Sequence, residues 1–154
     1  NERIVKYLDA CDPDVIQPYR NIMDNTYEES GLKNIINKNN LGVCFFSPLK
    51  HGLLTGKYKS PATFKNGDHR SGVKDFNNGE VIKKVLQNCK KLEKRFSNLK
   101  NPIMHGVINA LFFDSPTGCV LLGQRNVNQV KTASSLGEIL SPKDTSWVKA
   151  LYRF

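Results

Sequence analysis

The chain has 154 residues, of which 39 % are hydrophobic and 24 % charged, a balance that excludes a disordered tail and suffices for one domain with a buried core. No apolar run approaches the ~20 residues of a membrane helix. The net charge of +9, from 23 Lys and Arg against 14 Asp and Glu, favours anionic partners.

The cations are dispersed, however. Lys83, Lys84, Lys90, Lys91, Lys94 and Arg95 follow one helical segment, and no zinc finger or RNA-type aromatic motif accompanies them. A solvated helix face is the preferred reading over a nucleic-acid surface. Cys11, Cys44, Cys89 and Cys119 are scattered without a CxxC pair, which points away from a metal site and a disulfide framework and toward a reducing cytoplasm. The N-terminus, Asn1-Glu2-Arg3-Ile4, has neither a leader pattern nor a starting Met, and reads as a chain entered mid-domain.

In chain order, Ile4, Val5 and Leu8 have helical spacing and predict an amphipathic helix over 2–10, broken by Asp12-Pro13-Asp14. Val15-Ile16-Gln17 reads as a short strand and Pro18-Tyr19-Arg20-Asn21 as a loop. Gln17 at the strand end offers an amide that can bond a ligand amide in both directions, or tie down a neighbouring loop. Leu32, Ile35 and Ile36 predict a helix over 28–40, and Gly42 the turn into the next strand.

Leu41 to Tyr58, LGVCFFSPLKHGLLTGKY, is the most informative stretch. Leu41 and Val43 to Phe46 read as a strand buried on both faces, as in parallel sheets. Ser47-Pro48 stops it, since proline has no N–H for the ladder. Gly52 and Gly56 follow, among Lys50, His51 and Lys57. A buried strand that opens into backbone donors, hydroxyls and cations is how α/β proteins build anion sites, although an ordinary connecting loop with surface lysines has the same composition.

Residues 59–78 form an irregular connection, long enough to act as a lid, with Gly67-Asp68-His69-Arg70 inside it. Val81, Ile82, Val85, Leu86, Cys89, Leu92 and Phe96 predict a helix over 80–96. A second helix over 103–113 is apolar on most sides and therefore packed between neighbours. Asp114-Ser115-Pro116-Thr117-Gly118 turns the chain into a buried strand, Cys119 to Leu122. Gly123 then allows close backbone approach, Arg125 supplies a fork for phosphate, and Asn126 caps a helix running to about Leu136. Ser141-Pro142 starts the last helix, through Trp147 and Leu151. Strands alternating with helices imply parallel pairing, and Gln17, Ser47, Gly123 and Arg125 all follow strand ends, where α/β folds hold ligands.

Two of these segments together resemble the aldo-keto reductase family, in the branch of bacterial oxidoreductases and potassium-channel beta subunits. The first is the aromatic-Ser-Pro-Leu segment with its Gly-x-Leu-Thr-Gly-Lys-Tyr, and the second is Leu121 to Gln129, LLGQRNVNQ. The resemblance runs from about Asp14 to Leu140. It implies a partial (β/α)8 TIM barrel, roughly strands 6 to 8 with their helices, so that 1–154 is a single domain forming the C-terminal half.

The resemblance further implies an NADP(H)-binding half of an oxidoreductase that reduces aldehydes and ketones to alcohols. Gln17 would bind the nicotinamide carboxamide and Phe46 would stack on its ring. Ser47, Leu49 and Lys57, with Pro48 and Gly52 shaping the turn, would hold the pyrophosphate under Arg70. Arg125 and Gln129 would hold the adenosine phosphate, with Gly123 letting the backbone come close at the cofactor site. Thr132 and Ala133 depart from the Glu and Asn usual at the adenine. The family's Asp, Tyr, Lys and His tetrad lies on the first four strands, so no catalytic residue is assigned here and this chain alone is expected to be inactive. A small carbonyl substrate enters only with a completed barrel, and a second chain or copy is one way to cover the open sheet edges. The alternative is a non-catalytic half-barrel that binds a nucleotide or a partner.

Overall fold

The computed structural model describes residues 1–115 and 118–154. Pro116 and Thr117, within the turn expected between Asp114 and Gly118, lie outside the described residues.

The elements run α1 (Glu2–Cys11), β1 (Val15–Ile16), α2 (Thr26–Glu29), α3 (Leu32–Asn39), β2 (Gly42–Phe45), α4 (Gly79–Arg95), α5 (Pro102–Phe112), β3 (Cys119–Val120), α6 (Val127–Ala133) and α7 (Pro142–Leu151). All three strands are parallel, in the order β1-β2-β3, with Val15 paired to Gly42 and Cys44 paired to Cys119. This is the α/β arrangement of a partial barrel expected from the sequence.

Several boundaries follow from local chemistry. Asn78 accepts hydrogen bonds from the Glu80 and Val81 amides and starts α4, while Ser141 accepts from the Asp144 amide with Pro142 in the first turn of α7. The single helix expected over 28–40 is instead two. Gly31 at φ 75° breaks it, and the Asp24 carboxylate accepts from the Thr26 amide at 2.9 Å in the turn that leads into the earlier piece.

The helices cover one side of the sheet only. Ile16, Val43 and Phe45 are buried against α1, α2 and α3, with Leu8, Tyr27, Leu32 and Ile36. A larger core joins α4, α5 and α7 through Val85, Leu92, Val107, Leu111 and Val148. Of α4, Ile82, Val85, Cys89, Leu92 and Phe96 face inward, and its six cations are exposed.

The opposite face of the sheet is bare. Val15, Phe46 and Leu121 are 62, 41 and 48 % exposed, and Cys119 is exposed as well. The expectation that β2 and β3 are buried on both faces is therefore corrected: β2 alternates, with Val43 and Phe45 in and Cys44 half-buried, and β3 has no buried residue. Among the described residues, the hydrophobic run of β2 meets an apolar layer on one side, the one formed by α1, α2 and α3. Side by side on the bare face, the Cys44 thiol is pushed up first by hydrogen bonding with Cys119 and then by burial.

Between the two cores sits Arg20, 2 % exposed, in the loop after β1. Its guanidinium stacks on Tyr27 at 4.1 Å and Phe45 at 4.8 Å, and donates to Glu28 at 3.2 Å and Asp114 at 3.1 Å. Lys33 of α3 and Lys149 of α7 also donate to Asp114. One carboxylate thus fastens three cations from separate elements.

Candidate functional site

The site begins where β2 runs out. Phe46 keeps parallel pairing with Tyr19 for one more step, its amide donating to Pro18 and its carbonyl accepting from Arg20 at 3.1 Å. The chain then turns sharply. Ser47, Lys50 and His51 adopt φ of 58°, 47° and 54°, a left-handed conformation uncommon for residues with side chains, and Gly52 and Gly56 adopt 89° and 72°. Buried Leu53 and Leu54 anchor this turn in the core, and the Thr55 hydroxyl donates to the Gly52 carbonyl at 2.8 Å. The Ser47 hydroxyl is buried without a partner among the described residues. Lys57 lies close over Gly52, where an added Cβ would sit 3.1 Å from its Nζ.

The long connection folds back on this turn. Phe76 and Phe64 pack edge-on against Tyr58, with centroids 4.9 and 6.2 Å away. Arg70 stands 4.2 Å over the Phe64 ring and donates to the Tyr58 hydroxyl at 3.1 Å. The Asp68 carboxylate accepts from the Arg70 amide and from its Nε, both at 2.9 Å, and its other oxygen accepts from the guanidinium too. These hydrogen bonds hold the Asp68 carboxyl well below the usual carboxylate range.

The third wall is the start of α6. Asn126 accepts from the Gln129 amide at 3.0 Å, and Gln129 reaches back to accept from the Arg125 amide at 2.6 Å, a reciprocal cap. That bond leaves the Arg125 guanidinium exposed and without an ion pair among the described residues. An added Cβ at Gly123 would meet nothing within 4 Å, so the chain itself does not require glycine there.

The three walls enclose one open cleft of about 810 Å³. Of the residues singled out from the sequence, Phe46, Ser47, Pro48, Leu49, Gly52, Lys57, Arg70, Gly123, Arg125 and Gln129 all line it. Gln17 does not. It is exposed and borders a separate apolar groove against α1, with Ile4, Tyr7 and Leu8.

Sequence reasoning passed over two cleft residues, His51 and His69, whose rings meet edge-to-face at 5.3 Å. The signal for His51 was its position beside Gly52 in the motif; His69 had none beyond its neighbour Arg70. Burial first, then the charges of His69 and Arg70, push His51 below its ordinary value.

The fold is a partial parallel α/β barrel with a cationic cleft at its strand ends, and comparison with known proteins gives its family. The profile of the aldo/keto reductase family matches residues 2–152, so the chain belongs to that family. The chain is 38 % identical over 58 residues to the L-glyceraldehyde 3-phosphate reductases of Escherichia coli K12 and O157:H7, a stretch that is 38 % of this chain and 17 % of each relative. It superposes on the glycerol dehydrogenase of Gluconobacter oxydans with a TM-score of 0.75 at 25 % identity, over 89 % of this chain and 41 % of that one. The chain thus spans well under half of the solved structure it matches, and its fold is a partial barrel of the family.

Proposed function

We propose that this chain is the cofactor-gripping C-terminal part of an NADP(H)-dependent oxidoreductase that interconverts carbonyl compounds and alcohols. One observation carries the reading: two segments with more than 60 residues between them, one ending in Lys57 and the other starting at Leu121, meet in a single cationic cleft at the strand ends. The names of the related proteins, two reductases and a dehydrogenase, fit the same chemistry.

The residues present suit a dinucleotide. Ser47 brings a buried hydroxyl with no partner among the described residues, and the left-handed turn from Lys50 to Gly52 is the kind of backbone that opens a concavity for anions. Lys57, whose ammonium stands 4.9 Å over the Tyr58 ring, and Arg125 have no ion pair among the described residues, whereas Arg70 has turned most of its fork to Asp68 and Tyr58 and would contribute charge. Gly123, with open space above it, would let a ligand approach the backbone. Phe46 would present its ring at the cleft mouth. Gln17, outside the cleft, would serve a nicotinamide amide only if the group reached across the bare sheet face from Phe46.

Bound there, the nicotinamide supplies or accepts the hydride. The proton for the alkoxide has to come from an acid on barrel strands that this chain does not contain, so the 154 residues alone should bind cofactor without turnover. Turnover of a reactive benzaldehyde with NADPH by the purified chain, abolished by a substitution in it, would overturn that. The cofactor assignment is tested by Arg125→Ala. Loss of a charge-assisted bond worth ~1.5–3 kcal/mol should weaken NADP+ by about tenfold or more and leave NAD+ nearly unchanged. Equal loss for both would make Arg125 a structural residue of the α6 cap.

A further inference from the structure

His51 and His69 come from different segments, the turn after β2 and the long connection, yet their rings meet at 5.3 Å inside the cleft. A positive charge on the His69 ring at that distance opposes protonation of His51 while the cleft holds no anion.

The charged neighbours decide what would relieve this. Asp68 lines the cleft, but Arg70 occupies its carboxylate. Lys50 adjoins His51 and is paired with Asp75. Arg70 itself, Lys57 and Arg125 complete the charged groups on the three walls, and all are cations. Among the described residues, Asp68 is the one carboxylate lining the cleft, and its charge, already paired with Arg70, does not outweigh the burial and the cations that oppose a protonated His51. A bound anion is the missing partner.

We propose that the His51–His69 pair is a proton-linked anion clamp: entry of a phosphate-bearing ligand protonates an imidazole, and ligand affinity therefore rises as pH falls. The proton comes from solvent and forms an N–H on the ring, which then donates to a phosphate oxygen; no other bond changes. The sign follows from the free state. His51 lies below its ordinary value near 6.5, so it is neutral at neutral pH without ligand, and an anion moves its midpoint up.

This inference rests on the cofactor reading for the identity of the natural ligand, and two measurements separate them. The first follows the His51 and His69 ring protons by NMR across a pH titration of the whole chain, with and without inorganic pyrophosphate. The expected result is an upward shift of the His51 midpoint by about half a unit or more with pyrophosphate. No shift of either ring overturns the clamp. The second is calorimetry of NADP+ at about pH 6 and pH 8 in two buffers of different ionisation enthalpy, on the unaltered chain and on His51→Asn and His69→Asn. The clamp requires proton uptake that falls in the variants. The phosphomonoester of NADP+ titrates near pH 6 as well, but equally for all three proteins. Uptake unchanged in both variants overturns the clamp. If pyrophosphate shifts His51 while NADP+ does not bind at either pH, the clamp stands and the cofactor reading falls.

Discussion

At the scale of single residues, Phe45 and Phe46 show how adjacent aromatics divide structure from function. Phe45 is fully buried and T-stacked on Tyr27 at 5.3 Å, while Phe46 is 41 % exposed and touches Tyr19 edge-on at 5.4 Å. Alternation along a strand sends the two rings to opposite faces. Phe45→Ala should therefore cost about 3–5 kcal/mol in urea unfolding, since it empties a packed site and removes a ring that Arg20 stacks on. Phe46→Ala should barely move the unfolding midpoint and should weaken NADP+ by roughly 0.5–1.5 kcal/mol, which Phe46→Tyr restores. Similar behaviour of the two alanine variants would place the nicotinamide elsewhere.

At the scale of elements, the packing of α4 on α5 depends on one glycine. A Cβ at Gly106 would sit 2.5 Å from Leu92 Cδ2, and Leu92 is fully buried. Gly106→Ala gains about 1 kcal/mol of helix propensity but overpacks this contact by roughly 1–3 kcal/mol. A net loss of stability by chemical denaturation is expected; a gain would mean that Leu92 can shift. The contrast with α6 is instructive. That helix has no buried residue, and Val127 and Val130 are 67 and 50 % exposed, so its place beside the cleft comes from the Asn126 cap and the short link to β3. The sequence reading ran it to about Leu136, whereas it ends at Ala133 and Leu136 packs on the large core from beyond the helix end.

At the scale of the molecule, the Asp114 cluster ties the sheet-side core to the α5–α7 core. Burial opposes ionisation of Asp114, but the hydrogen bonds and charges of Lys149 and Lys33 prevail and hold its pKa down to about 2, from 3.8. A depressed carboxylate contributes stability above the unfolded value and loses it as pH falls through the folded one. The contribution, on the order of 2.5 kcal/mol, should be present at neutral pH and disappear between about pH 4 and pH 2. Asp114→Asn should be less stable at neutral pH and lose less on acidification, read by urea unfolding at several pH values. An acid limb identical to that of the unaltered chain would remove Asp114 from the account.

The sequence by itself determined the order of the strands and of the helices apart from the α2–α3 break, the parallel α/β class and the two loop motifs, because proline, glycine, cap residues and apolar period act locally. Ser47-Pro48, Asn126 and Ser141-Pro142 mark their boundaries without help from the rest of the chain. Only the tertiary structure decided which of those residues meet. Gln17 follows a strand end just as Ser47 does, yet it stands outside the cleft, while His51 and His69, 18 positions apart, share it. Arg20 gave no sign in the sequence of being the most buried cation, since a guanidinium is buried only where rings and carboxylates from distant segments converge on it. The bare face of the sheet has the same cause. An apolar strand records that neighbours were expected on both sides, and only the packing shows on which side they are present.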